Sequence, residues 1–284
     1  MFLSPYAEKD WKMKTELKTN LKAILGRGYV RLVGAHREPS WLISEALLPI
    51  LSTAAFVYVY KALKAPEEFT GFVVLGGAMT AYWMNVLWSM AAQFYWEKEM
   101  GNLELYLVAP ISRMAILLGM ATGGFYLAST RAVFVFVIGS LIFKVNFALI
   151  SWGKLALIFF LTQVSLYGLG MMFSSLFMLF GREAWHTTNL FQEPIYLLSG
   201  FFFPIKSLGF TIGLIASFIP LTLGLDGIRQ LAFKGGKEFG FLNVNLEIGA
   251  LIILSIIFLI ASHYALKYME NMGKKEGRLT MRWQ

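Results

Sequence analysis

The sequence predicts an all-α integral membrane protein, on three observations. The chain of 284 residues is 57% hydrophobic and 15% charged, where a soluble domain carries about a quarter charged residues. Its apolar residues form continuous runs, and the mean hydropathy is +0.61. The runs are long: residues 69–96 are 28 uncharged positions, 155–181 are 27 and 248–266 are 19, each beyond the roughly 18 that mark a candidate span. A helix is the element expected for each, because in hydrocarbon the backbone must satisfy its own hydrogen bonds within the segment.

The elements follow in order. Residues 1–38 form a basic N-terminal segment. It is no cleavable signal, because lysines and arginines continue from Lys9 to Arg37 where an apolar stretch would be needed. Within it, "KTELKTNLKAILGRGYVRLVG" (14–34) sets Leu17, Leu21, Ile24 and Gly28 on one helical face and basic residues on others. That pattern suits an amphipathic helix on the inner membrane surface, and equally a solvated helix packed on a partner. Spans are expected at 39–62, 69–96, 114–143, 152–181, 184–205 and 246–268. The third is broken only by Arg131 and the fifth only by Glu193. Residues 207–233 include a seventh uncharged run, but Gly209, Gly213, Pro220 and Gly224 weaken it as a straight helix. It is expected to form a re-entrant or interfacial hairpin on the outer side. Residues 269–284 form a basic tail.

Six spans put both termini on one side. That side carries 16 Lys and Arg against 8 on the other, so the positive-inside bias places both termini in the cytoplasm. No segment outside the membrane is long enough for a folded domain, so one transmembrane domain over 1–284 is expected.

Several chemistries are excluded. The net charge of +8 lies in the flanks of the apolar runs and makes no continuous face for nucleic acid. With no cysteine there is no disulfide, thiol nucleophile or thiolate metal site. The pairs Gly153-Lys154, Gly236-Lys237 and Gly273-Lys274 lack the Ser or Thr and the upstream Gly of a phosphate-cradling loop. His36, His186 and His263 are isolated and form no H-E-x-x-H, so no metal site is expected. No G-x-S-x-G elbow occurs. The chain is not expected to be catalytic alone.

What stands out is "WEKEMGNLELYLVAPISR" (96–113), a charged island between apolar runs. Met100, Leu103 and Leu107 fall one turn apart beside Glu104. This makes a small apolar knob with acidic neighbours, suited to a groove on another protein. A tight surface turn whose leucines dip into the membrane has the same pattern.

These residues resemble the first cytoplasmic loop of the permeases of type-2 ABC exporters. Glu99, Gly101, Leu103, Glu104, Leu105, Pro110, Ile111, Ser112 and Arg113 carry the likeness, with Asn102 where Thr is usual. "FQEPIYLLSGFFFPI" (191–205) resembles that family's fifth span through Pro194, Ser199, Gly200 and Pro204. "IPLTLGLDGIRQL" (219–231) is similar to its outer hairpin. The resemblance implies a half-transporter. Two permeases, identical or related, would pair with two separate ATPase subunits, which would hold the ATP and Mg²⁺. It implies ATPase coupling through Glu99, Gly101, Leu103, Glu104, Leu105, Leu107, Pro110 and Arg113. The same outline suggests an outer gate at Pro204, Pro220, Asp226 and Arg229. Candidates for a translocation path are Arg131, Glu193, Phe201 and Phe202. An Arg near the midplane is too costly to face lipid, and Glu193 lies at a similar depth, so the two could pair. A drug, lipid or glycan is the expected substrate, and a prokaryotic plasma membrane the expected location. An ion-coupled transporter or channel is the alternative, although it would want more intramembrane ionisable groups.

Overall fold

A computed structural model describes residues 5–37, 39–148, 150–180 and 192–276, and all the regular elements among them are helical. The chain begins with α1 (Pro5–His36) and α2 (Pro39–Ala62), the latter carrying Pro49 inside it. Then come α3 (Glu67–Met84), a π-helical turn (Asn85–Met90), α4 (Gln93–Glu99) and α5 (Asn102–Val108). Two long helices follow, α6 (Arg113–Phe143) and α7 (Trp152–Phe180). A short α8 covers 192–198. The chain ends with α9 (Phe210–Ala216), α10 (Pro220–Ala232) and α11 (Val244–Glu276).

Among the described residues, four helical stretches are long and apolar enough to cross a membrane: Glu67–Glu99, Arg113–Phe143, Trp152–Phe177 and Val244–Lys275. A fifth arises if the pair α9 and α10, bent by 114°, is taken as one span. That pair covers most of the expected outer hairpin. α2 has the bounds of the expected first span, 39–62, but is not among the stretches long and apolar enough to cross. Of the expected fifth span, 184–205, residues 184–191 lie outside the described residues, and the rest holds only the short α8 at 192–198 followed by a loop.

Glu67–Glu99 is the central stretch, enclosed by the rest of the bundle. Trp83, Phe72, Phe94, Leu87 and Met90 are fully buried on it. By contrast, α6 exposes Val133, Phe134, Val137 and Leu141, and α11 exposes Ile252, Ile253, Ile256, Ile257 and Ile260. Apolar faces this broad need a lipid solvent or a partner subunit. α7 and α11 run side by side in one direction. Lys154 Nζ donates to Asn245 Oδ1 at 2.9 Å near their start, and the Ser165 and Ser255 hydroxyls meet at 2.8 Å further on.

α1 departs from its expected placement. It runs alongside the first half of α6, in step with it: Asn20 meets Ser112, Ile24 meets Gly119, Gly28 meets Thr122 and His36 meets Tyr126. A helix that tracks a spanning helix does not lie flat across the membrane surface. The reason is small residues at the crossing. A Cβ on Gly28 would stand 3.1 Å from Thr122 Oγ1, and one on Gly119 only 2.8 Å from the Ile24 carbonyl oxygen. The grouping of Leu17 and Leu21 with Ile24 and Gly28 is thereby split: Gly28 faces α6, while Leu17, Leu21, Leu25 and Tyr29 are exposed.

Candidate functional site

The charged island folds into two short helices joined at a sharp turn. Gly101 makes the turn with φ of 78°, a left-handed conformation that costs a side-chain-bearing residue about 1–2 kcal/mol. The turn is built around Glu97, which is 1% exposed. Its carboxylate forms an ion pair with Arg27 of α1. It also accepts hydrogen bonds from Gln93 Nε2 at 2.8 Å, Asn102 Nδ2 at 3.0 Å and the Tyr106 hydroxyl at 3.2 Å. Arg27 lies over the Tyr106 ring, 5.6 Å from its centroid. The carboxylate therefore faces one guanidinium and three neutral donors; burial lowers the Arg27 pKa and raises that of the Tyr106 phenol. One turn along α1, Arg31 donates to Ser89 Oγ on the π-helical turn and to Gln93 Oε1.

The far end of α5 is tied to other elements. Arg113 Nη2 donates to the Leu107 carbonyl at 3.1 Å and lies 3.2 Å from Glu270 Oε1 of α11, which also pairs with Lys274 at 2.7 Å. The Ser112 backbone N–H donates to Asn20 Oδ1 of α1 at 2.8 Å. α5 is therefore clamped to α1, α4 and α11 together. Its outer face is not the one the spacing suggested. Leu103 is 2% exposed and joins the main core, and Leu107 is half-buried against it. The free apolar surface is Met100, Leu105 and Val108, with Glu104 and Pro110 beside it. The difference arises because Gly101 breaks the helix, so Met100 and Leu103 do not continue one face.

At the opposite end, α10 is closed over the bundle by Arg229. Its guanidinium donates to four carbonyl oxygens: Gly200 at 2.7 Å, Phe203 at 3.0 Å, Phe72 at 2.9 Å and Phe201 at 2.7 Å. The loop after α8 can come this close because Gly76 of α3 has no side chain; a Cβ there would collide with the Phe201 carbonyl. Asp226 accepts from Gln230 Nε2 at 2.9 Å and from the Phe241 backbone N–H at 2.8 Å. Pro220 is the first residue of α10, where its missing N–H costs no helical hydrogen bond, and Pro204 is buried just before a 3₁₀ turn at Ile205–Leu208.

A third feature lies between α2, α3, α6 and α8. Glu45, Leu48, Pro49, Ser52, Arg131 and Phe202 help to line a cleft of about 180 Å³. Phe202 stacks on Phe56 with centroids 4.1 Å apart. Arg131 forms its ion pair with Glu45 of α2. The possible pairing with Glu193 is therefore not the one found. Glu193 is exposed, at 3.4 Å from Gln192 Nε2, and Phe201 is fully buried rather than lining the cleft. Of the four path candidates, the fold brings together Arg131 and Phe202.

The profile of the ABC-2 type transporter family matches residues 19–233, most of the chain. This protein is an ABC-2 family permease. It is 29% identical over 141 residues to "Probable multidrug ABC transporter permease YbhR" of Escherichia coli strain K12, covering 49% of this chain and 37% of that protein. It is 26% identical over 238 residues to "Inner membrane transport permease YadH" of the same strain, covering 78% of this chain and 87% of that protein. The chain thus spans little more than a third of YbhR.

In this ABC-2 permease, Arg27, Arg31, Glu45 and Glu97 are the residues that sequence reasoning missed. Glu97 was visible as a charge at the end of an apolar run. Nothing in the spacing tied it to Arg27, which is distant in sequence and meets it only because α1 packs on α6. Asn102, where Thr is usual, supplies the amide that reaches Glu97.

Proposed function

We propose that this chain is the membrane subunit of an ATP-driven exporter, coupled to separate ATPase subunits through α4, α5 and the turn between them. The observation that carries this reading is the clamped α5, whose outward face offers Met100, Leu105 and Val108 beside the acidic Glu104. A small apolar surface held rigidly by buried polar contacts transmits a push from a partner; the same surface on a mobile loop would absorb it. ATP and Mg²⁺ would be bound by the partner, and two permeases, identical or related, would form the path. The six spans, the re-entrant form of α9 and α10 and the cytoplasmic position of both termini belong to this reading, the last on the 16-to-8 basic asymmetry. The multidrug description of YbhR favours a drug-like substrate, with lipids and glycans as the other classes to assay.

Replacing Val108 by Asp tests the coupling. Val108 is 84% exposed, so the variant keeps the fold while placing a charge in the docking surface. ATPase recovery with the tagged permease should fall by tenfold or more, since burying an unpaired charge costs on the order of 2–5 kcal/mol. Full recovery of the ATPase with normal substrate-stimulated hydrolysis would refute the docking role.

A further inference from the structure

The geometry points to the Arg131 cleft as a binding site for acidic amphiphiles, molecules with an apolar chain and one anionic head. This rests on the permease reading above and gives that permease a substrate class.

The charge balance around the cleft favours an anion. Arg131 is 11% exposed and Glu45 31% exposed, so the cation is the more deeply set member of the pair. Arg31 lies within electrostatic range of both and adds a second positive charge, while its own hydrogen bonds go to the neutral Ser89 and Gln93. Two cations therefore share one carboxylate. Arg131 also has donors to spare. Its Nη1 is engaged by Glu45 and its Nε by the Leu127 carbonyl at 3.4 Å, while Nη2 has no partner among the described residues. A guanidinium carries five N–H donors in a planar fork and can hold a second carboxylate or phosphate without releasing the first.

The walls fit the rest of such a molecule. Leu48, Pro49, Met84 and Phe202 supply apolar surface, and the Ser52 and Thr80 hydroxyls direct their protons to the carbonyls of Leu48 and Gly77. A volume of about 180 Å³ leaves room for a short chain segment beside the head. Longitudinally, Arg131 stands 12 residues before the end of α6, or about 18 Å along the axis. Its side chain leans back toward the helix start, as helical side chains do. The head would therefore sit well inside the membrane, where an anion gains more from a fixed guanidinium than it would at a wet surface.

Direct binding to the permease alone tests this. The protein would be placed in phosphatidylcholine nanodiscs, and saturable quenching of its tryptophans followed with ω-bromodecanoate and the matching ω-bromodecanol. Wild type should bind the acid about tenfold more tightly than the alcohol. Arg131→Gln should bring the acid to the level of the alcohol. Glu45→Gln should tighten the acid and leave the alcohol unchanged, an effect that a purely structural ion pair does not produce. Equal binding of acid and alcohol to wild type overturns the inference, as does weaker acid binding in Glu45→Gln. No ATPase is needed, so failure here leaves the coupling reading intact, and loss of coupling in Val108→Asp leaves this one intact.

Discussion

Glu97 is the residue whose removal should be felt most widely. Its carboxylate receives one ion pair and three hydrogen bonds from three elements and is almost fully buried. Hydrogen bonds to a charged group contribute about 1.5–3 kcal/mol each, and breaking a buried pair by removing one partner costs about 3–5 kcal/mol. In Glu97→Ala all four contacts go, and Arg27, about a quarter exposed, recovers part of its hydration. A loss near the lower end of that range, about 3 kcal/mol, is expected. Glu97→Gln should cost less, about 1–2 kcal/mol, because the amide oxygen still accepts from Arg27 and Gln93 while its NH₂ can donate to the Tyr106 oxygen. Arg27→Met leaves the buried carboxylate with neutral donors and no paired cation and should cost as much as Glu97→Ala, whereas Arg27→Met combined with Glu97→Gln should cost less than the sum of the two. Thermal unfolding of the purified permease would give the order, and substrate-stimulated hydrolysis in the reconstituted complex would report coupling. If Glu97→Ala unfolds at the wild-type temperature and couples normally, the hub does not hold the site together. Additive single and double variants would show that Arg27 and Glu97 do not act as a pair.

Three further outcomes are expected. Gly101→Val forces a β-branched residue to φ of 78°, so it should destabilise by at least about 1–2 kcal/mol and reduce ATPase recovery; an unchanged melting point would show that the turn can relax. Arg229→Lys should destabilise by about 2–4 kcal/mol, because an ammonium cannot reach four carbonyls in one plane and some are left buried and unpaired; wild-type stability would refute the closing role of the guanidinium. In this cysteine-free chain, a Cys placed at Lys237 should react with an impermeant maleimide in intact cells and one placed at Lys274 should not; the reverse pattern would overturn the proposed orientation.

Much of this protein is set by composition and local pattern. Apolar runs of spanning length have one structural solution in lipid, so α3 with α4, α6, α7 and α11 begin or end within a few residues of where the runs do. The island at 97–113 was legible too, because charges interrupting an apolar chain need water or a partner. Its internal arrangement was not. Leu103 and Leu107 do share one face of α5, as their spacing states, but spacing does not say which way a face points, and the turn at Gly101 sets α5 with that face against the core. The partners of charged residues were equally out of reach. Arg131 had a plausible acid in Glu193 at similar depth, yet the ion pair is with Glu45, because α2 packs beside α6 and Glu45 is brought to the guanidinium. A sequence states how deep a charge lies along its own helix. Which neighbour faces it depends on the rotation and order of helices around the bundle, and those are decided by close contacts such as Gly28 on α6 and Gly76 against the loop after α8, which exist only once the chain has packed.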